Sequence, residues 1–327
     1  MILDRRSLVA AFAALGLAGA ARADVRPQPV IFHTDIGGDI DDTWALLLLL
    51  RRPELDLKLV VTEGSNAVYR GRIVAKLLTL AGRGDIPIAI GPDNRDDPGA
   101  QSDWIAGFHL PDYRGPVSTD GPGHMAAVVS ASPVPVTVIS VGPASTVAQA
   151  LALDPAMADK ARFVGMFGSV RQGYGAGKPP EAEYNVKQDV RALQAVFAAP
   201  WDITITPLDT CGLLVLDGAG WQMVRASTDS FARACIANSQ AWLPNASWMP
   251  KDFDLTQHSS TLFDAVAVVM ACDESDLVME DLKLRVTDDA MTVIDPAAGR
   301  TVHVATQWRD LDGFKAKMVT ALTARPA

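Results

Sequence analysis

The chain has 327 residues, 49% of them apolar and 20% charged, a balance that fits a folded protein with a sizeable core and excludes disordered or collagen-like chains. A formal net charge of −9 removes the basic surface that phosphate-backbone binding needs, so nucleic acid is not an expected partner, while small neutral or cationic ligands stay open. The three cysteines, Cys211, Cys235 and Cys272, stand in no C-x-x-C spacing, which excludes a disulfide framework or a cysteine zinc site; all three are expected in the core.

In chain order, Asp4-Arg5-Arg6 precedes an apolar run from Leu8 to Ala20 and then Ala21-Arg22-Ala23. A charged start, a short apolar stretch and an A-x-A site predict a signal peptide over residues 1–23, of the twin-arginine type, and hence a bacterial periplasmic or secreted protein. Its apolar run is too short for a mature membrane helix, and no later segment reads as membrane-spanning. The mature chain, 24–327, is expected to form a single domain.

Within it, short β-branched runs at Val30–Phe32, Leu57–Val61, Ile86–Ile90, Val136–Val141, Phe163–Met166 and Ile203–Thr206 alternate with helical spacings at Val68–Ala81, Thr146–Leu153 and Val190–Phe197. This alternation predicts α/β architecture: a doubly wound, open, mostly parallel sheet with helices on both faces. From Leu282 onward, Leu282–Val286, Met291–Ile294 and Thr301–Val304 read as a short antiparallel addition before a last helix at Leu311–Leu322. Long loops are expected near Asp93–Gly123, Gly168–Gln188 and Leu243–Ser260, where function concentrates.

The first strand runs into Asp35-Ile36-Gly37-Gly38-Asp39-Ile40-Asp41-Asp42. Carboxylates this dense at the carboxyl end of a buried strand repel one another unless a cation or protons neutralise them. Ligands of open α/β sheets bind at that end, and the two glycines let the backbone turn tightly enough for the acids to converge. Oxygen-only ligands point to Ca²⁺ or Mg²⁺. An EF-hand does not fit, because Leu46 or Leu50 stands where its closing Glu belongs, and an aspartyl-phosphate motif does not fit, because Gly37 stands where its second Asp belongs. Helix caps would account for one acid, such as Asp42, but not for four; on sequence alone, Asp264 too reads as an N-cap.

Six segments in order resemble the nucleoside hydrolase family of the inosine-uridine-preferring, calcium-dependent type: Asp35 to Leu46, Val60 to Asn66, Gly82 to Gly91, Val136 to Pro143, Ala182 to Asn185 and Phe263 to Ala265. The resemblance implies hydrolysis of a nucleoside N-glycosidic bond, with Ca²⁺ held by Asp35, Asp42, Asp264 and the Val141 carbonyl. It further implies Asp41 as the base, with Asp39 as competitor, and Asn66, Glu183, Tyr184 and Asn185 near the sugar. Family members are commonly dimers or tetramers, so a homo-oligomer is expected. His33 stands where the family has an Asp, and Gly177 where a ribose-binding Asn is expected. Phe263 replaces a His of pyrimidine-accepting members and so resembles the purine-preferring branch, where stacking activates the leaving base. Trp104, Trp242 and Trp248 are candidates for a second stacking face, and His109, His124 and His258 for a leaving-group acid. Another sugar conjugate as substrate, or a periplasmic binding protein without turnover, remains an alternative.

Overall fold

Val30, Ile31 and Phe32 are all apolar because the strand they form is covered on both faces: Val30 and Phe32 pack into one core cluster and Ile31 into the other. The computed structural model describes residues 26–92 and 99–324; the expected leader lies outside them. In chain order, β1 (Gln28–Thr34), α1 (Asp41–Leu49), β2 (Leu55–Thr62), α2 (Ala67–Leu80), β3 (Ile88–Ile90) and β4 (Val117–Ser118) build one half of the sheet. The chain then passes through α3 (Gly121–Ala131) to β5 (Val136–Ser140), α4 (Ser145–Leu153), α5 (Met157–Lys160), β6 (Ala161–Met166), α6 (Tyr184–Gln188), α7 (Val190–Ala198) and β7 (Ile203–Thr206), which extend it the other way.

A two-stranded unit follows, β8 (Val215–Asp217) with β9 (His258–Thr261), enclosing α8 (Gly218–Ala226) and α9 (Ser230–Trp242) and leading into α10 (Phe263–Met270). Last come β10 (Leu277–Val286), β11 (Thr292–Ile294), β12 (Arg300–Trp308) and α11 (Leu311–Thr323). The main sheet has ten strands in the order β11-β10-β12-β7-β6-β5-β1-β2-β3-β4. β1 to β7 pair in parallel, and helices α1, α2 and α8 to α11 cover one face while α3, α4, α5 and α7 cover the other. The expected C-terminal hairpins are antiparallel between β10 and both its neighbours, but β12 also continues the main sheet parallel to β7.

Strand order reverses between β1 and β5, so the crevice beyond their carboxyl ends is a topological switch point. The reversal joins two distant pieces of chain, for the Val141 N–H donates to the His33 carbonyl at 2.9 Å. Gly142 is required there, since a Cβ would stand 2.7 Å from the Asp35 nitrogen.

Two expectations change. Helix α3 begins inside the stretch read as a long loop; Asp120 caps it by accepting the Gly123 N–H at 2.9 Å, with Pro122 in its first turn. Cys272 is exposed, where it accepts from Arg52 at 3.3 Å, whereas Cys211 and Cys235 are buried.

Candidate active site

The acidic loop between β1 and α1 turns its carbonyls outward and its carboxylates inward. Each carbonyl from Ile36 to Ile40 has a donor. Arg70 Nη1 reaches the Ile36 oxygen at 3.0 Å, Tyr69 Oη the Gly37 oxygen at 3.0 Å, Trp242 Nε1 the Gly38 oxygen at 3.1 Å and Gln101 Nε2 the Asp39 oxygen at 2.8 Å. The Thr43 N–H closes on the Ile40 oxygen at 3.1 Å. Gly37, at φ +110°, takes a conformation that side chains resist.

With the backbone held from outside, Asp41, Asp42 and Asp264 converge, their ligand oxygens within 4.8 Å of one another and all three side chains buried. Asp264 arrives from the first turn of α10. Neither Asp42 nor Asp264 is a cap: the N-cap positions belong to Ile40 and Leu262, and neither makes a side-chain cap bond. Asp42 instead accepts the Thr34 hydroxyl, which itself accepts the Ile36 N–H at 3.0 Å. Burial first, and then the neighbouring carboxylates, raise Asp41, Asp42 and Asp264 well above the ordinary carboxylate range. Asp35 is raised by burial against the pull of Arg70, and Asp39 is pushed up to about 6 by burial.

A set of buried, mutually repelling oxygens of this kind fits a hard divalent cation, which would relieve both the repulsion and the desolvation. The tightest group contains Asp41, expected as the base, in place of Asp35, expected as a ligand. Asp35 and Val141 line the same cavity.

That cavity encloses about 910 Å³. Glu183 lies in its wall, fully buried, its two oxygens accepting the N–H groups of Asn185 at 2.8 Å and of Val186 and Gly168 at 3.2 Å each. Burial outweighs these bonds and brings its carboxyl to about 7. Asn185, expected near the sugar, donates to the Val141 carbonyl at 3.1 Å and the Met166 carbonyl at 3.2 Å, so its amide orients the main chain beside the site. Tyr184, Phe263, Asp39 and Trp248 also line the cavity.

Other expected residues lie elsewhere. Asn66 is not on the cavity wall: in the left-handed region, φ 55°, it caps α2 by accepting the Tyr69 N–H at 3.2 Å, and the neighbouring Ser65 lines the cavity instead. Trp242 is buried beneath the acidic loop, and Trp104 packs on the core under Lys76. His109, His124 and His258 do not line the cavity. His33 points into the sheet, between Ser140 Oγ at 2.9 Å and Glu63 Oε2 at 3.3 Å, and Glu63 in turn accepts the Thr146 N–H at 2.6 Å. It therefore buttresses the switch point and does not substitute for a metal ligand.

Arg70 and Tyr174 are among the wall residues that the sequence reading does not name. Arg70 is buried in an apolar stretch of α2, three residues from Ala67 and from Ile73, and that placement of a charge at a core-facing helical position was its readable signal. Tyr174, in the Gly-rich loop after β6, meets Phe263 edge-on at 5.9 Å between ring centroids.

Residues 30–323 match the family model described as inosine-uridine preferring nucleoside hydrolase. The chain belongs to this family. The pyrimidine-specific ribonucleoside hydrolase RihA of Citrobacter koseri is 34% identical over 192 residues, covering 55% of this chain and 60% of that protein. RihA of an Escherichia coli strain is 33% identical over the same shares. The chain thus spans about 60% of the length of these curated relatives. Among solved structures, the plant nucleoside hydrolase PpNRh1 superposes with TM-score 0.77 at 22% identity, covering 91% of this chain and all of that one. A purine-preferring ribonucleoside hydrolase from Gardnerella vaginalis superposes at 0.72 with 19% identity, covering 90% and 98%. These likenesses fix the nucleoside hydrolase fold, mostly parallel with antiparallel C-terminal strands.

Proposed function

We propose that the chain hydrolyses the N-glycosidic bond of ribonucleosides, with a purine preference, to free base and ribose. The observation that carries the reading is the buried convergence of Asp41, Asp42 and Asp264 on the floor of a cavity at the switch point. Family membership supports the reaction class.

Calcium is the proposed ion, held by Asp35, Asp42, Asp264 and the Val141 carbonyl, because every donor is a hard oxygen and the Val141 carbonyl is already oriented by Asn185. When bound, it supplies an acidified water at neutral pH. Asp41, buried beside Asp42 and Asp264, is placed to accept its proton. As positive charge develops on the sugar, the surrounding buried carboxylates favour it.

The purine preference rests on Phe263, Tyr174 and Trp248, which give the wall large aromatic faces. Relatives are named for either base class, so the walls of this cavity are what support the choice. Export by the twin-arginine route is part of the proposal; replacing Arg5-Arg6 by Lys-Lys is expected to abolish periplasmic yield.

The deciding experiment is ribose release from inosine, guanosine, adenosine, uridine and cytidine, each with calcium and with a chelator. Chelator-sensitive release favouring purines is expected. Release favouring pyrimidines would overturn the preference, and none from any of the five, with calcium bound, would overturn the hydrolase reading.

A further inference from the structure

The loop after β6 is tightly folded and carries the aromatic side chain of Tyr174. The Gly173 N–H donates to the Lys178 carbonyl at 3.0 Å, and the Tyr174 N–H to Glu181 Oε1 at 3.2 Å. Gly175 and Gly177 take positive φ of 93° and 73°, and a Cβ on Gly173 would come within 2.3 Å of the Pro179 carbonyl. Gly177 brings nothing to the cavity, whereas Tyr174 stands in its wall with its ring against Phe263. The phenolic oxygen accepts the Tyr184 N–H at 2.9 Å, one residue beyond Glu183, and its own proton finds no acceptor among the described residues. A donor is thus presented beside a carboxylate.

We propose that Tyr174 recognises the 5′-hydroxyl of the sugar, donating to its oxygen while the hydroxyl's own proton goes to Glu183. The inference rests on the nucleoside reading, which places the anomeric carbon and the 2′ and 3′ hydroxyls at the aspartate cluster and leaves the 5′ end for the wall that carries Glu183. A hydroxyl both donates and accepts, and Glu183, an acceptor, meets only half of that need. Two of the donors on the wall are committed elsewhere: the Asn185 amide serves Val141 and Met166, and the Arg70 guanidinium serves Ile36 and Ser65 beside the acidic loop. Burial and Glu183 raise the Tyr174 hydroxyl far above its ordinary range, so it stays protonated as a donor at working pH.

The test compares inosine with 5′-deoxyinosine for the wild type and Y174F. The wild type should prefer inosine by about 10-fold to 100-fold in kcat/KM, and Y174F should lose most of that preference on inosine while keeping the wild-type rate on 5′-deoxyinosine. Equal loss on both substrates, which a scaffolding role or a contact to the base would give, overturns the proposal, as does no loss on either. A wild type indifferent to the 5′-hydroxyl overturns it without any variant. Should Y174F fail to fold, Y174H, which keeps a ring and a donor, should retain the preference, and its loss counts against the proposal. If the wild type cleaves neither nucleoside, the hydrolase reading fails separately. Calorimetric binding of methyl β-ribofuranoside and its 5-deoxy counterpart then decides Tyr174: tighter binding of the former by the wild type alone is expected, and equal binding overturns it.

Discussion

Asn185 donates its side-chain amide to the main-chain carbonyl of Val141 at 3.1 Å, tying the segment after β6 to the end of β5 beside the switch point. A second bond to Met166 at 3.2 Å fixes the amide itself. Asn185→Asp removes both donors and places another acid beside the cluster. We expect calcium affinity and kcat/KM to fall by about 10-fold to 100-fold, the range for residues that orient a metal's ligands. Isothermal titration with calcium checks this independently of turnover.

Asp41→Asn should separate chemistry from binding. Losing the proton acceptor is expected to lower kcat by about 10²-fold to 10⁴-fold with KM little changed. The same change removes one of the carboxylates that raise Asp264, so the metal-free variant should melt above the wild type. A lower melting temperature would show Asp41 to be a structural acid.

Glu183 at about 7 and Asp39 at about 6 both lie above their ordinary values in the folded protein, chiefly through burial. The folded state therefore binds these protons more tightly than the unfolded chain, and their contribution to stability is present at low pH and lost as pH rises through about 6 to 7. Metal-free protein should lose melting temperature between about pH 5 and pH 8, as linkage requires for raised carboxyls. Calcium should restore it, and restore more at the higher pH, where the acids are ionised. Differential scanning calorimetry at matched ionic strength measures both effects.

Gly142→Ala tests the close approach of β5 to β1. The new methyl would stand 2.7 Å from the Asp35 nitrogen and 3.0 Å from its Cβ, and the nearer of these is backbone. A cost of about 1–3 kcal/mol is expected, typical of overpacking, together with lower kcat/KM as Asp35 is displaced. Urea denaturation gives the first and steady-state kinetics the second.

The parallel strands were legible because strands buried on both sides must be apolar at every position, as at Val30 to Phe32. Helix α3 was not, because its apolar residues follow a Gly-Pro-Gly start that reads first as a turn, although Asp120 was there as its cap. In the site, the acidic loop was legible from charge density at a strand's end. Asn66 is ambiguous in the sequence because a cap and a ligand share the same side chain; the structure shows it capping α2 from the left-handed region. Arg70, Tyr69 and Trp242 act on carbonyls of the acidic loop, and a carbonyl leaves no trace in the sequence of the residue that carries it.

The outward-facing carbonyls of that loop have a temporal consequence. Their donors sit as far along the chain as Trp242, 204 residues from Gly38, and the third carboxylate, Asp264, lies farther still. Long separations must be closed before such contacts contribute, so the loop adopts its working shape only near the end of folding. Truncated or partly synthesised chains would carry the full acidic sequence and yet have no affinity of this kind. During refolding, the uptake of a divalent ion would therefore mark the moment at which the whole chain is in place.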